Sequence, residues 1–299
     1  MSNLEMETYH AMKTPRIAVI ADIHGTLPSL KAVLSDLGKD PPDEIIVAGD
    51  FIGGPQPCET LSLLRENKCH FILGNGEVNM LKMHRRTAPE VWWTHQQFVL
   101  GRWIYRKLDD DHFKFLETLS EQHVFHKAGC APFRVVHGSP WDINKLVFPD
   151  KEPEALTRAL AMIPEEVLVF AHTHLPDVIN KDGKLAVNPG SVGNNLNGDT
   201  RASYATLTWD GNKWQPQLHY ITYDLDEVIN AFNQTGFLAA TRPLARAFLE
   251  SILTGENTGL EYILYAFDIA KKAGYCDLEA VPDEIWLGAE ASFPWRFDL

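Results

Sequence analysis

Cysteine is scarce in this chain: there are four in 299 residues, and Cys58, Cys69, Cys130 and Cys276 show no C-x-x-C spacing. That argues against a disulfide framework and for free thiols in a reducing compartment, so a cytoplasmic protein is expected. Long apolar runs are missing too. No window approaches the ~18 consecutive apolar residues of a membrane span, and the first fifteen residues mix charge and polarity without the apolar stretch of a signal peptide. Basic runs are also absent, and 27 Lys and Arg against 40 Asp and Glu give a formal charge of −13. Extended nucleic acid is therefore not an expected partner, because such binding rests on many phosphate contacts from basic side chains. No internal repeat or low-complexity stretch appears.

What the chain does have is a series of short polar clusters, each at the end of an apolar run: Asp22-Ile23-His24, Gly49-Asp50, Gly74-Asn75, His137-Gly138 and His172-Thr173-His174. The runs before them, at 16–21, 44–48, 70–73, 133–136 and 167–171, are β-like, which puts the polar residues where strands hand over to loops. In open α/β sheets, ligands bind at such strand ends. Any one pair alone is ordinarily a hydrogen-bonded loop pair. Five in one chain supply two Asp, four His and one Asn. A pair of divalent cations roughly 3.5–4 Å apart needs such a set: a bridging carboxylate, further nitrogen and oxygen donors, and positions open to water and substrate oxygens.

The order of these clusters resembles the calcineurin-like metallophosphoesterases, whose pattern runs D-x-H, G-D, G-N-[HC]-[DE], a lone H and H-[TG]-H. The small bacterial and archaeal, phosphodiesterase-like branch is the most similar. Residues 49–57, GDFIGGPQP, resemble its G-D-x-x-G-Y-G-P-x-P. Residues 188–193, NPGSVG, and 201–205, RASYA, resemble its N-P-G-S-V-G…R-A-S-Y-A. The likeness covers about residues 16–220. It implies an α/β fold in four layers, a two-sheet mixed β-sandwich flanked by helices, and two divalent metal ions drawn from Mn, Fe, Ni, Co or Zn. Asp22, His24, Asp50 and His174 would hold the first ion, and Asp50, Asn75, His137 and His172 the second, with Asp50 bridging. His24, Asp50, Asn75 and His137 are then the catalytic candidates. Two such ions outweigh two carboxylates and a hydroxide by about one positive charge, which favours a phosphate. Arg201 is the substrate-binding candidate, since a guanidinium suits a phosphate; an ion pair is its other reading.

Two departures from the family pattern matter. Where the phosphatases carry a His after Gly-Asn as general acid, this chain has Gly76 followed by Glu77. A general acid is typically worth about 10²–10⁴ in rate, so leaving groups that need little protonation, or a donor from elsewhere such as His84 or His95, are implied. Leu196 stands where many relatives have Arg, which removes one phosphate contact.

The remaining organisation follows from periodicity. Helices are expected at 27–37 and 59–67, with two successive β-α units implying parallel strands and right-handed crossovers. Segments 185–187, 204–209 and 214–220 read as antiparallel strands, the last two joined by the Asp210-Gly211-Asn212 turn. Asn188-Pro189-Gly190-Ser191 reads first as a turn. The expected division is a metallophosphoesterase domain at 1–223, interrupted by a helical insertion at about 78–127, and a helical C-terminal extension at 224–299. In the insertion, Trp92, Val99 and Trp103 share a helical stripe, as do Leu100, Ile104 and Leu108, and Arg85 and Arg86 lie nearby. Its aromatics either pack the segment down or offer a wall for a base or aryl group, with Trp93, off the Trp92 stripe, the better candidate. In the tail, three amphipathic helices are expected from Leu225/Val228/Ile229/Phe232, Leu244/Phe248/Leu249/Ile252 and Leu260/Ile263/Leu264/Phe267. Phe293, Trp295 and Phe297 alternate like an extended segment.

The expected function is metal-dependent hydrolysis of a phosphoester or phosphoanhydride bond in a small phosphorylated substrate, most simply a phosphodiester or nucleotide, by a metal-held hydroxide. The alternative is a metal-binding scaffold of the same fold with weak or no turnover.

Overall fold

Each apolar run that precedes a polar cluster forms a strand in the computed structural model, which describes residues 14–299. The segment inspected for a leader thus lies, over residues 1–13, outside the described residues. The chain begins β1 (Arg16–Ile20), α1 (Leu27–Leu37), β2 (Glu44–Ala48), α2 (Pro57–Glu66), β3 (His70–Ile72). The insertion follows as α3 (Asn75–His84), α4 (Val91–Thr94), α5 (Val99–Tyr105) and α6 (Asp110–Glu117). Then come β4 (Gln122–Phe125), β5 (Phe133–Val136), α7 (Pro153–Ala161), β6 (Val167–Val169), β7 (Asp177–Lys181), β8 (Lys184–Asn188), β9 (Ala202–Trp209) and β10 (Trp214–Ile221).

The strands make two five-stranded mixed sheets, ordered β10-β9-β1-β2-β3 and β4-β5-β6-β8-β7. Strands β1, β2 and β3 are parallel, as are β5, β6 and β8, while β9 and β10 pair antiparallel through the Asp210 turn. Strand β1 is apolar on both faces because both are covered. Ile17 and Val19 face the second sheet, meeting Val135, Val169 and Val187, whereas Ala18 and Ile20 face Leu30, Val33 and Leu64 of α1 and α2. On the far side Val136, Leu168 and Ala186 pack on Leu156, Ala159 and Leu160 of α7. The layers are therefore helix, sheet, sheet, helix.

The C-terminal part holds α8 (Leu225–Gln234), α9 (Phe237–Thr241), α10 (Leu244–Thr254), α11 (Thr258–Lys272) and α12 (Asp283–Gly288). The expected stripes fall on α8, α10 and α11, but α11 buries Tyr262, Ala266 and Ala270 and leaves Leu260 and Leu264 of its stripe 48% and 51% exposed. The five-residue α9 and six-residue α12 are too short to display a 3.6-residue period. Phe293, Trp295 and Phe297 form no strand: Phe293 and Trp295 pack on Tyr262, with ring centroids 5.3 and 5.5 Å away, and Phe297 is left 41% exposed.

The insertion does not run as one helix through Trp92 and Trp103. His95 is extended, at φ −83° and ψ 145°, and separates α4 from a short turn and α5. The Arg102 guanidinium closes that break by donating to the carbonyls of Trp92 and His95 at 2.9 and 2.7 Å. Insertion and tail also meet directly. Trp103 lies edge-on to Phe237 at 4.9 Å, and Leu100 packs with it into the cluster built by Val228, Phe232 and Leu249.

Candidate metal centre

Five of the seven sequence-derived ligand candidates adopt left-handed backbone conformations: Asp22, His24, Asp50, His172 and His174 have φ of 52°, 48°, 50°, 69° and 58°. Such conformations are uncommon outside glycine, and their clustering marks loops held against their local preference. The loops hold one another. Asp22 N–H donates to Gly49 O at 3.1 Å and His24 N–H to Asp50 O at 3.0 Å, tying the end of β1 to the end of β2. His172 N–H donates to Asp22 Oδ2 at 3.1 Å, tying the β6 loop to the first sheet.

Two groups of donor atoms result, Asp22 with His24 and His174, and Asp50 with His137 and His172; within each group the atoms lie within 4.8 Å of one another. Asn75 joins the second group, its Oδ1 3.0 Å from His137 Nε2. Asp50 Oδ2 lies between the groups, 3.8 Å from His24 Nε2 and 3.6 Å from His137 Nε2. The ring orientations are set from outside. His137 Nδ1 lies 2.9 Å from Ala48 O and His174 Nδ1 2.6 Å from Asn194 O, so each donates there and turns its Nε2 inward. His172 Nε2 lies 3.2 Å from Asn144 O, which leaves its Nδ1 as the inward atom.

The residues fit a pair of cations on structural grounds. Asp22 Oδ1 is fully buried without a hydrogen-bond partner, yet three imidazole nitrogens lie 3.5–4.0 Å from it. The Nε2 atoms of His24 and His174 point at each other across 3.1 Å. An unpartnered carboxylate oxygen among converging imidazoles in a buried site is costly unless something positive lies there. The electrostatics of the bare centre agree. Burial, with Asp50 beside it, pushes the Asp22 carboxyl up to about 8 against the pull of His137. Burial also pushes Asp50 upward, but His137, His24 and His172 outweigh it and hold Asp50 well below the usual carboxylate range. His137 is raised to about 10, because Asp50 and Asp22 overcome the effect of its burial. Burial first, then neighbouring imidazoles, lower His172 to about 4 and His174 to about 3.

Glu77 was passed over as a site residue in the sequence, although the family pattern carries an acid at its position. It is wholly buried, and its carboxylate accepts the N–H groups of Asp50, Ile52 and Gly74 at 2.9, 2.8 and 2.8 Å. One side chain thereby fixes the β2 and β3 loops against each other. Gly74 lets the loops approach, since a Cβ there would stand 2.1 Å from Asp50 Oδ1.

A cavity of about 740 Å³ opens onto the centre, reached by His24, Asp50, Asn75, Gly76, His172 and His174. Leu196 lines it. Arg201 does not: its guanidinium is committed to Asp199, with Nη2 2.6 Å from Oδ2, and is stacked over Tyr220, which is the ion-pair reading of the two. The two tryptophans exchange places relative to expectation. Trp92 lines the cavity, whereas Trp93 packs edge-on against Tyr105 at 5.5 Å beneath the Arg86 guanidinium. His84 is stacked on Phe113 at 4.0 Å and His95 is bonded to Thr94; neither lines the cavity.

Known proteins resemble this chain. A metallophosphoesterase from Sphaerobacter thermophilus superposes with a TM-score of 0.65 at 25% identity, covering 81% of this chain and 99% of its own. A hypothetical protein from Pyrococcus horikoshii gives 0.64 at 17% identity over 80% of this chain and 98% of that one, a likeness of fold. An uncharacterized protein of Methanocaldococcus jannaschii is 25% identical over 228 residues, 70% of this chain and 88% of the relative. The calcineurin-like phosphoesterase superfamily domain matches residues 16–212, and with the two donor groups falling inside that span, the chain belongs to the calcineurin-like phosphoesterase superfamily.

Proposed function

We propose that this protein hydrolyses a phosphodiester with a good leaving group, using two divalent metal ions among Mn, Fe, Ni, Co and Zn. The observation that carries the proposal is the position of Asp50 Oδ2 within 4 Å of His24 on one side and His137 on the other, between two complete donor groups. Asp22, His24, Asp50 and His174 would hold one ion, and Asp50, Asn75, His137 and His172 the other. Bound ions of this kind supply a nucleophilic hydroxide at neutral pH and positive charge for the phosphoryl oxygens.

The chain's own residues supply the rest. The Ala48 and Asn194 carbonyls fix the tautomers of His137 and His174, so these rings need no reorientation when a substrate arrives. Glu77 keeps the Asp50 and Asn75 loops in register. The neighbour of Asn75, Gly76, brings no proton to the leaving group, and His84 and His95 lie away from the cavity. Among the described residues Lys151 is the one Lys or Arg lining it, a single cation for a single phosphate. A small phosphorylated substrate suits this site. No described helix is long and apolar enough to cross a membrane. The four free thiols favour a reducing, cytoplasmic setting.

The test is a hydrolysis screen of protein loaded with Mn²⁺, Fe²⁺, Co²⁺, Ni²⁺, Zn²⁺ or Mg²⁺ against mono-, di- and pyrophosphate substrates, with Asp50→Asn as control. Metal-dependent cleavage of activated diesters, lost in the variant, is expected; no turnover with any metal would instead favour a binding scaffold.

A further inference from the structure

The cavity above the donor groups has walls that the phosphoester chemistry itself does not need. From the insertion come Met80, Met83, Trp92 and Ile104, and from the tail Leu244, Phe248, Leu260 and Ile263, so two segments without a single candidate ligand enclose it. The tail reaches the centre itself: the Phe248 ring stands edge-on to the His24 imidazole, with centroids 6.0 Å apart. Two large apolar side chains at the rim, Leu146 and Leu260, are 37% and 48% exposed. Apolar surface of this kind, continuous with a catalytic centre, marks a ligand group that covers it.

Two polar groups on the tail wall are occupied, while Asn194 Oδ1, beside the donor groups, and Trp92 Nε1 on the insertion wall are buried without a partner. Ser251 Oγ donates to Ala247 O at 2.9 Å and accepts from Gly259 N, and Asn257 Oδ1 caps α11 through Leu260 N. Hydrogen-bond recognition of a nucleobase would need such groups free. The Trp92 face is already partly covered, since Phe98 is stacked on it at 5.9 Å and 28°. With Lys151 the only Lys or Arg on the lining among the described residues, a polyphosphate would also be poorly matched. The two methionines supply flexible thioether surface that adapts to chains of variable shape.

We infer that the substrate is a phosphodiester with a single phosphate, one of whose ester arms is a long-chain aliphatic alcohol or glyceride and the other the leaving group, the chain lying between α3/α5 and α10/α11 while the phosphate meets the donor groups. The inference rests on the phosphoesterase reading for its substrate but predicts binding independently of turnover. Methyl-, butyl- and octylphosphonate, which are not hydrolysed, are titrated by calorimetry into Mn²⁺-loaded protein below their micelle concentrations. Thymidine 5′-monophosphate serves as the nucleobase probe. The octyl ligand should bind at least tenfold more tightly than the methyl ligand, and Leu260→Asp should reduce that ratio about tenfold. The side chain at 260 is exposed, so the variant should fold. Equal affinity along the series, or tighter binding of the nucleotide, overturns the inference. The matching alkyl 4-nitrophenyl phosphates separate the two claims. Turnover with no chain-length preference in binding sinks the aliphatic chain alone, whereas chain-length-dependent binding without turnover sinks the phosphoesterase reading alone.

Discussion

Gly76 N–H donates to Asp50 Oδ1 at 2.8 Å, and a Cβ on Gly76 would stand 3.0 Å from that same oxygen. The lack of a side chain at 76 and the position of Asp50, the proposed bridge, are thus linked: a side chain at 76 would require the Asp50 carboxylate to shift by a few tenths of an ångström.

Gly76→His, which would restore the family's usual acid, should therefore displace the Asp50 carboxylate and cost metal affinity without conferring monoesterase activity. Metal titration beside assays on an alkyl monoester checks this. A variant that keeps its metal and gains monoesterase turnover would show that the loop has room.

With no proton donor beside Asn75, the rate of hydrolysis should depend steeply on leaving-group pKa, with nitrophenyl diesters far ahead of alkyl esters. A series of aryl methyl phosphates measures the slope. A flat series would reveal a proton donor, and Lys151, on the cavity lining, would be the first residue to replace.

Much of this was legible beforehand because β1, β2, β5 and β6 are short apolar runs that each end in a metal-binding residue type, so strand, loop and chemistry coincide in the sequence. Less legible was whatever depends on side-chain direction. Trp92 and Trp93 are adjacent on α4, yet the first lines the cavity while the second packs on Tyr105. Arg201 carries a phosphate-compatible group, but Asp199 two residues away satisfies it. Glu77 left no signal of its three-way bond, because its partners lie in loops up to 27 residues distant. The cavity was hidden for a similar reason. Its walls come from two segments more than a hundred residues apart, and the stripes that line it read equally well as core.

Glu77→Gln keeps the size of the side chain but replaces one acceptor oxygen with a donor facing backbone N–H groups. The loss of a buried hydrogen bond with an unsatisfied partner costs about 1–3 kcal/mol, so a lower Tm is expected together with weaker metal binding at Asp50. An unchanged Tm with unchanged metal affinity would remove Glu77 from its positioning role.

Trp92→Ala and Trp93→Ala should part company. Removing Trp92 opens the cavity wall and should raise KM for an apolar diester while leaving methyl 4-nitrophenyl phosphate much less affected. Removing Trp93 should lower Tm through lost packing on Tyr105 and Arg86, with kinetics little changed. Kinetics and melting curves of both variants decide; the reverse pattern would return Trp93 to the substrate wall.

Metal uptake should release protons. Asp22, raised to about 8 by burial, is largely protonated at neutral pH, and His137, raised to about 10, is charged; both must lose a proton to act as ligands. Affinity should accordingly rise as pH increases toward those values, whereas His172 and His174, lowered to about 4 and 3, are already neutral and add no dependence there. Calorimetry in two buffers of different ionisation enthalpy counts the protons, and a pH-independent affinity would contradict the assignment of Asp22 and His137.

The most direct measurement is elemental analysis of the Mn²⁺-loaded, desalted protein beside Asp50→Asn. Close to two ions per chain in the native protein and at most one in the variant are the expected values, because Asp50 is proposed to serve both donor groups. No bound metal in the native protein, or an undiminished two ions in the variant, would contradict a binuclear centre bridged by Asp50.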